Sequence, residues 1–368
     1  MDGAFHLPPD VVAEYGLLEA DVELLAGGRT NRTMRVRAQQ SRPGSPQGHD
    51  LVVQHLHGYG ETNLLAVMEN LVRVTAHLDW QRTMHSPGDS WYPVLVPTAK
   101  NKPFIMTAEG DVWRAFMYRD GQILRGEQSI VALANAAAIY GRFSAETQEL
   151  GGPPLIESLP GFHDLDAVYD TLLRDIDQAD GQRSADLSDD IARIEALKTK
   201  IDAGCQADGL RWRADRVVHN DTKLSNVLFA NDGCTATAVL DLDLAMMGPS
   251  WHDVGDMVRS ACWHGPGSAE GPAFSLELVQ RVLDAYIGAA RHSLTDDEIV
   301  TFALAGPRIS LELGIRYLND HLRDRPHLAV AGENGHLHRG RLNVNLADKM
   351  FTAYDALRRI VDEHLARR

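Results

Sequence analysis

Apolar residues in the N-terminal third of the chain recur in short alternating runs separated by Gly, Pro and Ser, the pattern of strands with one buried face. The runs fall at residues 22–25, 33–36 and 51–55. The first two meet around Gly27-Gly28, and QQSRPGSPQGHD before the third has the composition of an exposed hairpin loop. A short helical segment precedes them, and helical periodicity follows over 62–81. Further strand patterns lie at 91–96, 104–107 and 112–117, until Tyr118-Arg119-Asp120-Gly121 breaks the pattern before a helix over 129–150. Beyond it, helical periodicity dominates at 164–180, 188–203, 275–291, 296–322 and 341–366, around two short strand signals at 217–218 and 238–240. These signals predict an α+β chain with an N-terminal antiparallel-sheet lobe carrying one helix and a larger, mainly helical C-terminal lobe. The boundary falls near 118–125, giving lobes 1–118 and 119–368.

Composition narrows the class. With 368 residues the chain exceeds a typical single core, and 44% hydrophobic with 24% charged residues is ordinary for a globular protein. A formal charge of -15 argues against a nucleic-acid partner, which needs clustered Lys and Arg. Cys205, Cys234 and Cys262 are widely spaced and form neither a disulfide framework nor a zinc pattern, which suits a reducing cytoplasm. No export signal or apolar span of membrane length is expected. The run QADGQRSADLSDD at 178–190 reads as a solvated connection. The sequence leaves the oligomeric state open.

The chemistry concentrates in VVHNDTKLSNVLF, residues 217–229. A short apolar strand leads into His219-Asn220-Asp221, and Asn226 follows the aspartate by the D-x-x-x-x-N interval of a kinase catalytic loop. In phosphoryl transfer such an aspartate accepts the proton of the attacking hydroxyl, and the asparagine oxygen helps to hold magnesium. Lys223 could reach a phosphoryl oxygen. The competing reading makes the same residues an ordinary polar turn with a solvated lysine. Further on, an apolar strand ends in Asp241-Leu242-Asp243, where the Asp241 carboxylate suits Mg2+. Asp243 either terminates that strand or supports the metal ligand from behind, the former reading being preferred. Asp253 and Asp256 are read as structural, capping a helix or pairing with Arg259 or the catalytic loop.

Together, H-N-D-T-K-L-S-N, V-L-D-L-D and D-V-G-D resemble the aminoglycoside phosphotransferase (phosphotransferase enzyme) family, which has a protein-kinase-like bilobal fold. Within it the likeness is to N-acetylhexosamine 1-kinases, and it extends to Gly28-Arg29-Thr30-Asn31-Arg32-Thr33, Met68-Glu69-Asn70-Leu71 and 311–318. The resemblance implies ATP between the lobes, under the glycine-flanked turn of Gly28, Thr30 and Asn31, with adenine against the linker at Phe116 and Tyr118. It implies a sugar-like acceptor in the C-terminal lobe near Arg316, whose forked donors suit ring hydroxyls. An ion pair of Arg316 with Glu312 or Asp320 on one helix is the plainer alternative. Two positions depart from the usual pattern. Gln54 stands where most kinase-like folds have a strand lysine; it could donate to a phosphate, positioned by Glu69 or Asn70, without supplying charge. Arg29 stands where the hexosamine kinases have a histidine near the sugar, and it could touch acceptor or phosphate or be solvated.

Three functions are open on this sequence. The leading one is an ATP- and Mg2+-dependent sugar kinase acting on the anomeric or another ring hydroxyl of an N-acetylhexosamine, hexose or amino sugar. The second is an aminocyclitol or aminoglycoside kinase, which requires an acidic acceptor pocket. The third is a silent nucleotide- or sugar-binding module, suggested by the missing lysine.

Overall fold

The computed structural model describes residues 7–25, 31–38, 50–57, 62–85, 88–179, 181–207, 215–323, 328, 330 and 334–368. The chain divides into two compact units, Met1–Asp120 with Ile156–Pro160, and Gly121–Leu155 with Gly161–Arg368.

In the first unit, α1 (Pro9–Tyr15) stops at Gly16, which takes the left-handed conformation (φ 66°) that glycine adopts without steric cost. The strands β1 (Ala20–Leu24), β2 (Arg32–Ala38), β3 (Leu51–Leu56), β4 (Ile105–Met106) and β5 (Val112–Met117) form one antiparallel sheet in the order β1-β2-β3-β5-β4. Between β3 and β4 runs α2 (Leu64–His85). Strand alternation sends Met34, Val36, Leu51, Val53, Trp113 and Ala115 into one core with Val11, Tyr15 and Leu17. The opposite parity carries a polar row, because the register places Thr33 opposite Gln54 and Gln54 opposite Arg114. Arg114 is 1% exposed, donates its Nε–H to Gln54 Oε1 at 2.9 Å, and reaches Met68 Sδ of α2 at 3.7 Å. Gln54 passes the row on, donating Nε2–H to Thr33 Oγ1 at 3.0 Å.

Residues 91–96 are not the strand that their apolar content predicts. Their backbone pairs with the sheet at an isolated Leu95–Phe116 bridge, with Val96 N–H to Ala115 O and Met117 N–H to Val94 O, both at 2.9 Å. Pro93 and Pro97 lack the donors that a ladder needs, although Trp91, Tyr92 and Val96 are buried.

The second unit is mainly helical: α3 (Ile130–Thr147), α4 (Leu165–Gln178), α5 (Gly181–Ala185), α6 (Ser188–Ala207), α7 (Trp251–His264), α8 (Leu276–Ala290), α9 (Asp296–Leu322), α10 (Gly335–Thr352) and α11 (Tyr354–Ala366). Two small antiparallel pairs complete it, β6 (Arg216–Val218) with β9 (Met246–Gly248) and β7 (Val227–Phe229) with β8 (Ala236–Val239). The start of α9 follows its sequence signal, since Thr295 and Glu298 form a reciprocal capping box. The run at 178–190 contains α5, the pattern over 341–366 is two helices that break at Ala353, strands β7 and β9 add to the two strand signals expected, and α7 was not predicted. Its interior is buried all round, including His252, Asp253, Asp256 and Ser260, so no polar face marks it as a helix. Gly255 lets α7 approach α9 closely, as a Cβ there would lie 2.5 Å from Ala305 O.

The Gln54–Arg114 pair predicts opposite responses to two substitutions. Gln54→Lys opposes a buried guanidinium with a second cation and should cost about 3 kcal/mol, a fall of about 5–10 °C in thermal midpoint. Gln54→Glu should leave the midpoint unchanged or raise it. Equal midpoints for the lysine and glutamate variants in calorimetry would show that Arg114 does not constrain this position.

Candidate active site

The loop that carries Asp221 is shaped by α7. Strand β6 is anchored by Arg216, 5% exposed, whose Nη2 lies 3.0 Å from Glu298 Oε2. Directly after β6, the buried Asp253 carboxylate accepts the backbone N–H of His219 at 3.0 Å and of Asn220 at 2.8 Å. The Thr222 hydroxyl donates to Asp253 O at 2.6 Å, and Leu224 N–H donates to Ser260 Oγ at 2.9 Å. Burial pushes the Asp253 carboxyl above its ordinary range against the opposing pull of those two backbone donors. Asn220 takes the left-handed conformation (φ 62°), which asparagine tolerates better than most side chains. Its amide is held on both sides, donating to Leu244 O at 2.9 Å and accepting from His252 Nδ1–H at 3.1 Å.

His219 is fully buried, edge-on to Tyr140 and Phe143. Its Nδ1 accepts Asp221 N–H at 3.3 Å and its Nε2 faces Leu240 O at 2.9 Å, which assigns the ring as the Nε2–H tautomer. Leu240 N–H in turn donates to Asn226 O at 2.8 Å. Both ends of Leu240 are therefore tied to the loop, and the next residue, Asp241, turns off the strand in the left-handed conformation (φ 57°) with its side chain exposed. This tie brings Asp241 to the Asp221 loop.

Asp221 Oδ2 accepts Asn226 Nδ2–H at 2.9 Å and is ion-paired with Lys223. Burial opposes ionisation of Asp221, but the Lys223 ammonium and the Asn226 amide outweigh it and hold the carboxyl below the usual carboxylate range. The Lys223 ammonium is likewise held above its ordinary value, against burial, by Asp221, Asp241 and Asp256. A magnesium ion suits this donor set. Among the described residues no group of three or more His, Cys, Asp or Glu forms a protein cage. Mg2+ commonly needs only one or two carboxylates and completes its shell with phosphate and water. Asn226 Oδ1, left over by the amide's bonds through Nδ2, and the Asp241 carboxylate would provide the protein oxygens.

The remaining expected residues fall in different places. Asp256 pairs with Arg259, with Nη2 at 2.6 Å. Arg316 donates its Nε–H to Glu312 Oε1 at 2.6 Å and stands 5.2 Å from the Phe162 ring, while Asp320 accepts Leu328 N–H at 2.6 Å. The structure also brings in a residue that sequence reasoning gave no part in the site. His163 contacts Glu312 Oε2 at 2.7 Å and Asn220 O at 3.1 Å. Its segment, GFHDLD, has no motif, and 149 residues separate it from Glu312.

In the first unit, Gln54 is held by Thr33 and Arg114 and not by the α2 residues expected to position it. Glu69 is exposed, and Asn70 exchanges two hydrogen bonds with the Ile156 backbone. Phe116 is 8% exposed, and the Tyr118 ring lies 3.8 Å beneath the Arg35 guanidinium. Asn31 Oδ1 accepts His57 N–H at 3.2 Å. Gly28, Arg29 and Thr30 lie outside the described residues.

Comparison with known proteins bears on the family and the fold. The model of the phosphotransferase enzyme family matches residues 21–294. Among solved structures, an aminoglycoside phosphotransferase from Alicyclobacillus acidocaldarius superposes with a TM-score of 0.59 at 16% identity, covering 98% of each chain. An ethanolamine kinase from Plasmodium vivax gives 0.59 at 10% identity, covering 96% of this chain and 93% of its own. A spectinomycin phosphotransferase in complex with ADP and spectinomycin gives 0.58 at 12% identity over 94% of this chain and 96% of its own. At these identities the likeness speaks for the fold, the protein-kinase-like α+β class expected from the sequence. With the family model spanning most of its length and the Asp221 loop within the match, this chain belongs to the phosphotransferase enzyme family and is a small-molecule phosphotransferase with an alcohol group as acceptor.

Proposed function

We propose that this phosphotransferase is an ATP- and Mg2+-dependent sugar kinase, acting on a ring hydroxyl and in particular the anomeric 1-OH of an N-acetylhexosamine or related hexose. The observation that carries the kinase reading is the Asp221 carboxylate, ionised and held on Oδ2 by Lys223 and Asn226. That leaves Oδ1 to receive an acceptor hydroxyl. As the acceptor oxygen bonds to the γ-phosphorus and the bond to the β,γ-bridging oxygen breaks, the hydroxyl proton passes to Asp221 and ADP leaves. Lys223 is placed to meet the charge that develops on the transferred group. Bound to the nucleotide phosphates, Mg2+ would supply the remaining positive charge, with Asn226 and Asp241 as its protein donors. ATP in the first unit, with Gly28, Thr30, Asn31, Gln54, Phe116 and Tyr118 as its contacts, belongs to the same reading.

A neutral acceptor is favoured over a polycationic aminoglycoside by how the acidic residues are used. Glu312 is taken up by His163 and Arg316, Asp256 by Arg259, and Asp320 accepts Leu328 N–H. Ammonium groups on an aminocyclitol would meet Glu312 and Asp256 already paired with cations. Arg316 is the residue of this set suited to sugar oxygens, and Arg29 belongs to the proposed acceptor contacts. A cytoplasmic location follows from the need for ATP. Among the described residues no helix is long and apolar enough to cross a membrane.

Asp221→Asn should lower kcat by at least about a hundredfold with little change in nucleotide or acceptor affinity, read by ADP release and calorimetric titration. Near-normal turnover would remove Asp221 as the base. For the native enzyme and its best sugar, coupling between phosphorus and the anomeric proton in the product NMR spectrum identifies a 1-phosphate; its absence assigns another hydroxyl.

Lys223→Met removes the cation that keeps the Asp221 carboxyl low, leaving burial to push it up. The base form is lost as pH falls through that carboxyl's pKa, so the acid limb of kcat/KM should move to higher pH in the variant. An acid limb at the native position would show that Lys223 does not tune the base.

A further inference from the structure

The peptide joining Asn220 to Asp221 is gripped at both ends by imidazoles. On one side Asp221 N–H donates to His219 Nδ1; on the other Asn220 O faces His163 Nε2 at 3.1 Å. The His163 ring is buried, in a residue of left-handed conformation (φ 65°) just before α4. Its Nδ1 lies 2.7 Å from Glu312 Oε2, and Glu312, 2% exposed, accepts Arg316 Nε–H through its other oxygen.

A carbonyl oxygen can only accept, so His163 Nε2 must donate. The Glu312 carboxyl, kept ionised by His163 and Arg316 against burial, also accepts, so Nδ1 must donate as well. A neutral imidazole has one N–H and would leave a lone pair pointing at an oxygen. The groups facing the ring agree with a cation: Glu312 and Asp256 favour it, Arg316 opposes it, and burial opposes it most, with the balance holding His163 above its ordinary value. His252, on α7 with its ring centroid 4.8 Å away, is driven in the other direction by burial and by the charge on His163, and donates to Asn220 Oδ1 as a neutral ring.

We propose that His163 is a positioning residue that, as an imidazolium paired with Glu312, clamps the Asn220–Asp221 peptide and so sets the direction of the Asp221 carboxylate. Rotation of that peptide swings the following Cα–Cβ bond, and a misplaced base costs rate without costing affinity. The clamp is complete while His163 is protonated and is lost as pH rises through its elevated pKa. The inference rests on Asp221 as the kinase base, but the clamp itself can be read without turnover.

The test uses the full chain labelled with 15N. At pH 7, both ring nitrogens of His163 should show imidazolium shifts, with ionisation above the ordinary 6.5. The Asp221 backbone amide should titrate with the same midpoint, and that titration should vanish in His163→Gln. In kinetics, the glutamine variant should lose about tenfold or more in kcat at nearly unchanged KM values, and lose the alkaline limb that tracks His163. His163→Arg, which keeps a charged donor, should recover part of kcat without that limb. A neutral His163 ring at pH 7, or an Asp221 amide indifferent to His163 ionisation, overturns the clamp even if glutamine at 163 fails to fold, because both are read in the native protein. An intact amide titration in a native enzyme that phosphorylates no acceptor would instead count against the kinase reading. A glutamine variant with native kcat and pH profile overturns the positioning role.

Discussion

The buried carboxylate of Asp253 takes the backbone N–H groups of His219 and Asn220 in the Asp221 loop. Unpaired and buried, each donor would cost about 1–3 kcal/mol, so the loop needs an acceptor projected from a rigid element at this point. Helix α7 provides it at its N-terminal end, and the same helix contributes Ser260 to Leu224 N–H and the Asp253 carbonyl to Thr222. The left-handed turn at Asn220 is held within this frame, as are the direction of Asp221 and the reach of Asn226. The glycine at 255 belongs to the same arrangement, since without it α7 could not lie against α9, which carries Glu312 and Arg316.

Around that frame, buried charge is organised in pairs and triads. Arg216 meets Glu298, Arg259 meets Asp256, and His163 and Arg316 share Glu312. Such groupings add little net stability, because desolvation offsets most of the attraction, but removal of one member leaves an uncompensated charge. Their use here is directional. A carboxylate with two cationic partners, as Glu312 has, cannot rotate freely, and its partner His163 faces Asn220 O in the Asp221 loop, while Arg216 lies on the strand that leads into that loop. The chain is acidic overall, at -15, yet the carboxylates near the candidate base are largely spoken for. Net charge therefore says little about the acceptor.

What was legible in the sequence was local. Asp221, Lys223 and Asn226 lie within six positions, and Asp241 ends an apolar run that reads as a strand by itself, so spacing alone could assemble them. The antiparallel sheet was readable from alternation, except at 91–96, where burial without a ladder mimics a strand. Helix α7 was hidden because buried polar residues occupy positions that a periodicity argument requires to be exposed or apolar. The i,i+4 pairing of Glu312 with Arg316 was readable, but His163 was hidden for a different reason: it has no local signature, and its meeting with Glu312 depends on α9 packing beside the Asp221 loop. Asp253 and Asp256 fall between these cases, with sequence limiting them to structural partners and the fold choosing the loop for one and Arg259 for the other.

Gln54 shows how a departure from a pattern acquires a physical cause. In the sheet it stands directly between Thr33 and Arg114, and its amide suits both, giving N–H to the hydroxyl and oxygen to the guanidinium. A lysine would have no lone pair for Arg114 and would add a like charge across the strand pair. An oxygen acceptor without positive charge at 54 is thus what a buried arginine at 114 requires, and the two positions are constrained together. Loss of the strand lysine therefore need not signal loss of catalysis. In the proposed kinase reading, phosphate charge is met by Lys223, on the loop that Asp253 organises.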